Sequence, residues 1–322
     1  MEQLARDGSA EAPERRRRLR TIAVLVASAA LVAAIAGAAL YREWVAPFRT
    51  KVLIVDDRSV DMDYFLRRVR LSGERPLAML PQLAIEEMVK LVAPQPPYRI
   101  TVSDADIDAA LASMAVGGAG EPTENEFSEW FRQQLNESGL GDAEYRELVR
   151  VRLLARALSD HLAARVPTVA EQVRLQLIMQ TTLSDANAAR ARLASGEDFA
   201  SLATELNADE KLKASAGELG WFPRAALASA LARTAFDELQ VGEVSGAVPV
   251  GANRFAIVKV AERRDAMPID ETVLQSVKSR ALDAWAAQEL KRHRVEYRGF
   301  DGGYNSETDA WVMRQLGHTG PE

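Results

Sequence analysis

The chain has 322 residues, of which 48% are hydrophobic and 27% are charged, a balance that excludes a disordered chain and leaves room for two compact lobes. It has no cysteine, which excludes disulfides, zinc ribbons and thiol nucleophiles. The net charge is -6 and the one dense basic run is residues 15–18 with Arg20, which argues against a nucleic-acid surface on the folded part.

Residues 21–41 contain no charged residue and are rich in Ala, Leu, Ile and Val. As a helix this segment is about 30 Å long, which matches the hydrocarbon core of a bilayer. Arginines precede it, and a mixed Arg42-Glu43 follows it. This pattern is typical of a single-pass anchor in the cytoplasmic membrane that keeps residues 1–20 in the cytoplasm and places the rest of the chain outside. The alternative is a signal peptide cleaved near Ala38.

Residues 45–170 predict a lobe made mostly of helices. A β-rich run at 52–55 precedes a helix that Asp61 or Asp63 can cap, and prolines end a second helix over 82–93. Ser103 and Asp106 have the spacing of a capping box. Apolar residues at intervals of three or four mark the later helices: Ile107, Leu111, Met114, Phe127, Trp130, Phe131, Leu135, Leu148, Val151, Ala155 and Leu158.

Residues 171–265 predict a smaller α+β unit. A strand over 174–180 precedes two helices, opened by Ser184 and Asp198, and two strands follow near 244–250 and 255–261. Beyond this unit, Asp270 can cap a helix within 268–298 whose end is cationic. The tail, 299–322, begins with a loop and contains a short amphipathic helix near Trp311.

Several spaced motifs in the α+β unit resemble the parvulin family of peptidyl-prolyl cis/trans isomerases. These motifs are Ala-Gly-Glu-Leu-Gly-Trp-Phe-Pro at 216–223, Leu-Gln-Val-Gly-Glu-Val-Ser at 239–245 and Arg-Phe-Ala-Ile-Val-Lys-Val at 254–260. The order of strand, turn and capped helix after residue 51 is similar to the start of the SurA-like chaperones. The resemblance implies an α+β fold in which the parvulin-like domain is inserted in a helical chaperone-like lobe, with helix 268–298 returning to that lobe and one transmembrane helix at the N-terminus.

The resemblance also implies positions for an isomerase site. The family's two strand histidines fall on Gln176 and Ala256, and its acidic or cysteine position falls on Asp209. We therefore expect Asp209 and Gln176 as catalytic residues, and Phe222, Leu227, Leu231 and Ala256 as substrate-binding residues. Losing the histidines removes a hydrogen-bonded pair, but glutamine still donates and accepts hydrogen bonds, and the reaction moves no proton.

Each of these residues also has a purely structural explanation. Phe222, Leu227 and Leu231 have the spacing of core residues, and Asp209 lies in a charged stretch typical of solvated surface. Prolyl isomerisation requires no cofactor or metal. The three histidines are far apart and flank no carboxylate pair at ligand spacing, so we expect no metal site.

Three functions fit these features. The first is a membrane-anchored, extracytoplasmic peptidyl-prolyl isomerase and foldase whose partners are unfolded, exported polypeptides with X-Pro bonds. The second is a parvulin-like chaperone that holds unfolded chains with weak or no catalysis, which the missing histidines favour. The third is a structural subunit of a membrane complex.

The anchor predicts that the mature protein keeps its N-terminal segment, because the apolar run exceeds the usual signal-peptide core of about 7 to 15 residues. Mass spectrometry of the N-terminus of the protein purified from its host membranes tests this expectation. A mature chain starting near Ala38 or Ala39 would contradict the anchor.

Overall fold

The computed structural model of the protein describes residues 11–118 and 120–317, with side chains from residue 28 onward. Helices and antiparallel strands place it in the α+β class, as the sequence predicted. The helices are α1 Glu11–Trp44, α2 Met62–Ser72, α3 Pro76–Val92, α4 Asp104–Ala115, α5 Glu124–Ser138, α6 Asp142–Ala163, α7 Leu183–Ala194, α8 Phe199–Leu206, α9 Glu210–Ala214, α10 Ser229–Arg233, α11 Glu271–Ser279, α12 Ala281–Glu289 and α13 Ser306–Gln315. The strands are β1 Lys51–Val55, β2 Arg58–Asp61, β3 Val169–Gln180, β4 Glu218–Pro223, β5 Val248–Gly251, β6 Arg254–Pro268, β7 Val295–Gly299 and β8 Gly302–Gly303.

Local hydrogen bonds fix the start of α4 as the sequence predicted. Ser103 Oγ accepts from the Asp106 N–H at 3.2 Å, and Asp106 Oδ2 accepts from the Ser103 N–H at 2.8 Å. Hydrogen bonds from the Ser103 hydroxyl and amide hold the pKa of the Asp106 carboxyl below its ordinary value. The predicted capping box is therefore confirmed.

Two helices begin at residues other than those predicted. Helix α3 begins at Pro76, where the missing amide costs nothing, and it continues through Pro81. Burial of Met79 and Leu83 on either side offsets the hydrogen bond that Pro81 removes. Helix α7 is capped by Thr182 instead of Ser184, because the Thr182 hydroxyl accepts from the Asp185 amide at 3.1 Å.

The segment 268–298 also differs from its prediction. It contains two helices, α11 and α12, followed by the start of strand β7. The break falls at Arg280, whose backbone amide still bonds to Val277 O while its conformation leaves the regular helix. The tail contains β8 and the predicted short helix, α13, and residues 318–322 lie outside those described.

The predicted transmembrane segment, 21–41, lies within α1. Its first residues, 21–27, are outside the part of the chain whose side chains are described, as are residues 1–20. Within the residues that the structure describes, there is no helix whose length and apolar character suffice for a membrane crossing. Residues 28–44 of α1 are exposed, and their large apolar side chains include Leu31, Val32 and Ile35.

One compact unit contains the described residues within 1–96, 101–154 and 289–322. Its antiparallel sheet has the strand order β2-β1-β7-β8. In this sheet Leu53 of β1 pairs with Tyr297 of β7. Because β1 and β7 come from opposite ends of the chain, both ends build this unit.

The other compact unit contains residues 97–100 and 155–288. Its antiparallel sheet has the strand order β4-β3-β6-β5, and β3 follows β6 along its whole length. Helices α7 and α8 supply the apolar side chains that pack on one face of this sheet. Side chains from the π-helix Thr234–Glu238 cover the other face.

Gly217 joins α9 to β4 at a point where the backbone approaches β3 closely. Its φ is +82°, and a Cβ there would lie 2.8 Å from both Ala203 Cβ and Leu177 O. Its carbonyl accepts from the Leu177 amide at 2.8 Å. The Gly-rich motif is therefore required by packing at this position.

We predict that Gly217→Ala lowers the free energy of unfolding of this unit by about 2 to 5 kcal/mol, because the substitution combines left-handed strain with overpacking. Gly196→Ala is the matched control, since Gly196 also has a positive φ, +96°, but its Cβ would meet nothing within 4 Å. Urea unfolding followed by tryptophan fluorescence measures both variants. An equal loss of unfolding free energy in the two variants would contradict the close approach of the Gly217 backbone to Leu177 and Ala203.

Candidate functional site

One face of the β3–β6 sheet is apolar from Leu175 to Met179 and over the residues of β6 that pair with them. Register pairs place Leu175 opposite Val260, Leu177 opposite Val258, and Met179 opposite Ala256. Paired residues of antiparallel strands share a face of the sheet. We call these side chains, together with Val173, the apolar face. All of its members are buried: Val173, Leu175, Leu177, Met179, Ala256, Val258 and Val260.

The opposite face packs against α7 and α8. Ile178 and Ile257 form its core with Phe199 and neighbouring residues of the two helices. Gln176 pairs with Lys259, whose Nζ lies 5.7 Å from the centroid of the Phe199 ring. Gln176 therefore belongs to this opposite face.

Four of the predicted site residues lie on the side of the sheet that carries the apolar face, at different points along it. Ala256 is one of its fully buried members, and Leu227 and Leu231 pack against it while staying half-buried. Phe222 pairs with Val173 in the register of β4 and β3, which places it on the same side of the sheet. The predicted substrate-binding residues thus share one apolar surface.

The structure does not bring Gln176 to that surface. Leu175 and Leu177, its neighbours along β3, both point into the apolar cluster, and successive strand residues alternate in direction. The β3 side chains that share a face with Ala256 are consequently leucines and Met179 instead of a polar residue. The seven residues of the apolar face therefore carry no titratable group, and Arg263, which pairs with Val173, is the charged residue at its end.

Asp209 lies at the start of α9, a short helix whose Leu212 packs against the apolar face. Its Oδ1 accepts hydrogen bonds from the Lys211 and Leu212 amides, each at 3.0 Å. Asp209 is half-buried, and among the described residues its Oδ2 has no partner. The carboxylate is thus oriented by its helix, with one oxygen left for another donor.

Asn207, two residues earlier, connects this loop to β3. Its Nδ2 donates to Leu177 O at 2.8 Å and its Oδ1 accepts from the Met179 amide at 3.0 Å, with 3% of the residue exposed. The pairing of β4 with β3 ends at Gln176. The Asn207 side chain therefore takes the place of a neighbouring strand and fixes the loop that carries Asp209.

Arg263 fixes the segment that covers the apolar face. Its Nη2 donates to Ala235 O at 2.9 Å and to Leu239 O at 3.1 Å, and its Nη1 donates to Phe236 O at 3.2 Å. The guanidinium carbon lies 5.8 Å from the centroid of the Phe236 ring. A planar fork with several donors is suited to such a cluster of carbonyls. Through these bonds Arg263 ties the π-helix to the sheet.

Sequence reasoning missed Asn207 and Arg263. An asparagine that directly follows a predicted helix has the local signal of a turn residue, but that signal does not reveal its two bonds to β3. Arg263 had no local signal, because the carbonyls that it binds lie more than twenty residues earlier in the chain. Within the residues that the structure describes, no group of three or more His, Cys, Asp or Glu is placed to hold a metal ion.

Comparisons with known proteins identify the same region. Residues 175–262 match the family model described as Rotamase, a PPIC-type PPIASE domain. The chain is 23% identical over 189 residues to "Foldase protein PrsA" of Oceanobacillus iheyensis, which covers 56% of this chain and 60% of the relative. It is 26% identical over 281 residues to "Chaperone SurA" of Alkalilimnicola ehrlichii, which covers 77% of this chain and 63% of the relative. The chain thus spans about six-tenths of the length of each of these relatives.

Two solved structures are also similar. The peptidylprolyl isomerase PrsA of Bacillus anthracis is 19% identical with a TM-score of 0.40, over 76% of this chain and 98% of that chain. NmPin, the parvulin of Nitrosopumilus maritimus, is 32% identical with a TM-score of 0.26, over 28% of this chain and 96% of that chain. The family match covers the second half of β3, all of β4 and β5, and the part of β6 that contributes to the apolar face.

We predict that Asn207→Ala destabilises this unit by about 2 to 4 kcal/mol, because it leaves a buried amide and a buried carbonyl of β3 without partners. Amide hydrogen exchange should show faster exchange at Met179, whose N–H loses its acceptor. Thr204→Ala on the exposed side of α8 is the control, and its effect should stay within about 0.5 kcal/mol. Unchanged exchange at Met179 in Asn207→Ala would contradict this role.

Proposed function

We propose, from the premise that residues 175–262 form a rotamase domain of the PPIC type in a chain homologous to PrsA and SurA, that the protein is a foldase. In this proposal it binds unfolded polypeptides and speeds the cis/trans exchange of their X-Pro bonds. The observation that carries the proposal is that the family match falls on the sheet with the apolar face, where Leu227 and Leu231 remain half-buried.

The chemistry suits an apolar surface. The barrier to rotation about the imide is about 18 to 20 kcal/mol and comes from its partial double-bond character. A catalyst therefore has to bind the twisted state, in which conjugation is lost, more tightly than either planar state. Leu227, Leu231 and Phe222 supply apolar contacts for the proline ring, and these contacts require no proton transfer, metal or cofactor.

Asp209 is the polar group that we assign to this site. Its Oδ1 is held by two amides of α9, which leaves Oδ2 for a donor of the bound peptide. A carboxylate fixed in this way can orient the peptide backbone next to the proline without further reorganisation. Gln176 lies on the opposite face, so the proposal assigns it no contact with the substrate.

The location that we propose is the outer side of the cytoplasmic membrane, with clients that are exported polypeptides. The support is the charge-free segment 21–41, the arginines before it, and the exposed aromatic residues Tyr41 and Trp44 at its end. Aromatic residues at the end of an apolar helix are typical of a membrane interface. Homology to PrsA and SurA is consistent with an extracytoplasmic foldase.

A second candidate function is a chaperone that holds unfolded chains without catalysis. One observation favours it: Ala256 and the leucines of β3 leave the apolar face without a titratable group. Leu227 and Leu231, which are half-buried and pack against this buried face, can bind extended apolar segments, but the face behind them offers little that distinguishes the twisted imide from the planar one.

Exchange kinetics on an X-Pro peptide separate the two candidates. We predict that the full-length protein speeds exchange beyond the uncatalysed time of tens to hundreds of seconds. Leu231→Asp should lower the catalysed rate constant about tenfold or more, because it places a carboxylate in the apolar site. Leu193→Asp, a half-buried leucine on the α7 side of the sheet, is the matched control and should keep the rate.

A wild-type rate equal to the uncatalysed rate would refute the isomerase. If, in that case, suppression of aggregation survives in the double variant Leu227→Asp and Asp209→Ala, the protein is a chaperone without catalysis. Co-purification with one partner in fixed stoichiometry, instead of with many clients, would indicate a structural subunit.

A further inference from the structure

A second concave surface lies in the same unit, on its helical part. A cavity of about 730 Å³ opens between the end of α6, the 3-10 helix Arg224–Ala226 and helices α11 and α12. All of its lining residues belong to the unit of residues 97–100 and 155–288. Its volume lies in the range of ligand pockets. We call it the Tyr98 cavity; its apolar walls include Leu162, Val166, Leu227, Val277 and Trp285.

A pair of aromatic rings forms one wall of the Tyr98 cavity. The Trp285 indole N–H donates to the Tyr98 hydroxyl at 2.8 Å, and the two rings meet at 89° with centroids 6.1 Å apart. The indole N–H is thus satisfied within the wall. Because Trp285 is only 6% exposed, the half-buried Tyr98 ring supplies most of the aromatic surface that an occupant can contact.

The backbone at this wall is held in a costly conformation. Arg99, the residue after Tyr98, has a φ of +54°, in the left-handed region that a side chain normally avoids. Tyr98 contacts His161 of α6 with a ring separation of 5.8 Å in addition to Trp285. Backbone strain of this kind persists where the surroundings fix it, and such places are often binding sites.

Two cations line the Tyr98 cavity without a carboxylate partner. Arg280 donates to Ala226 O at 3.2 Å and to a serine of α11, and Arg165 contacts the His161 ring. In the part of the chain that the structure describes, neither arginine forms an ion pair with an acid. Asp283 is the acidic residue among those that line the cavity, so its charged lining is two cations and one anion.

We propose that the Tyr98 cavity is a second binding site for extended polypeptide, specific for an apolar side chain next to a carboxylate. The inference rests on the proposed function, since unfolded polypeptides are the ligands. The apolar side chain contacts the Tyr98–Trp285 wall, and the carboxylate pairs with Arg165 and Arg280. Charge complementarity selects this occupant, because an excess of positive charge beside an apolar wall disfavours a basic segment.

Leu227 connects the two sites. It lines the Tyr98 cavity and it packs against the apolar face of the sheet. A single extended segment that binds in the cavity thus passes close to the place where the X-Pro bond is bound. Once the segment is bound in the cavity, its X-Pro bond is held near the apolar face, so its effective concentration at that second site is raised.

Fluorescence anisotropy with the full-length protein tests the site. The probe is a fluorescein-labelled Gly-Ser peptide with a central Phe-Asp, and its matched peptides carry Phe-Lys or Ser-Asp instead. We expect the Phe-Asp peptide to bind at least about tenfold more tightly than either matched peptide. Equal dissociation constants for Phe-Asp and Phe-Lys would overturn the inference.

Two substitutions on one helix locate the binding. Ala284→Glu places bulk and negative charge in the cavity, whereas Ala287→Glu changes an exposed residue of α12 that does not line it. We expect Ala284→Glu to weaken Phe-Asp binding about tenfold or more and Ala287→Glu to change it less than about twofold. Equal effects of the two substitutions would place the peptide elsewhere.

A charge substitution tests the cavity without adding bulk. Arg165→Gln should weaken Phe-Asp binding about threefold to tenfold and leave Phe-Lys binding unchanged. Arg156→Gln, at an exposed position of α6 outside the cavity, is the control. An effect of Arg165→Gln on both peptides alike would overturn the role of charge.

The same variants separate this inference from the proposed function. If the wild type speeds X-Pro exchange but Ala284→Glu leaves Phe-Asp binding intact, the cavity site fails and the foldase stands. If the wild-type protein changes neither the rate of X-Pro exchange nor the aggregation of an unfolded client, while Ala284→Glu still weakens Phe-Asp binding, the proposed function fails and the binding site stands. Sedimentation that shows a dimer broken by Ala284→Glu, with peptide binding unchanged, would make a second copy the occupant and overturn the inference.

Discussion

The antiparallel pairing of β3 with β6 is the interaction on which the rest of the candidate site depends. Its register sets Leu175, Leu177 and Met179 against Val260, Val258 and Ala256, so that one face of the sheet is apolar over these three pairs. A shift by one residue would turn all of these side chains to the other face. Asn207 bonds to the edge of β3, and Arg263 bonds to the segment that covers the apolar face. Both residues therefore stabilise the arrangement of side chains that the register sets.

This arrangement suits a reaction that needs shape more than charge. Proline isomerisation breaks no bond and moves no proton, so an apolar surface that favours the twisted imide is sufficient in principle. The buried sheet residues of the apolar face carry no titratable group, and Asp209 stands beside it with one carboxylate oxygen engaged by its own helix. In the proposed mechanism, packing by Leu227 and Leu231 therefore contributes more than acid or base groups do.

The features that the sequence predicted best are those that interactions between neighbouring residues determine. The capping box at Ser103, the strand at β1 and the helix opened by Asp198 each depend on a few neighbouring residues. Whether Gln176 faces the same way as Ala256 depends instead on the long-range register of β3 against β6. Ala256 pairs with Met179, which is an odd number of residues from Gln176, so the two side chains lie on opposite faces. This pairing has no local signature in the sequence, and the expectation that joined the two positions came from the family resemblance alone.

Photo-crosslinking tests the central claim most directly. An X-Pro peptide with a diazirine side chain next to the proline is irradiated with the full-length protein, and the attachment sites are read by mass spectrometry. The account predicts attachment at Phe222, Leu227 and Leu231, on the apolar face of the β3–β6 sheet. Attachment concentrated on α7 and α8, on the face that carries Gln176, would contradict it.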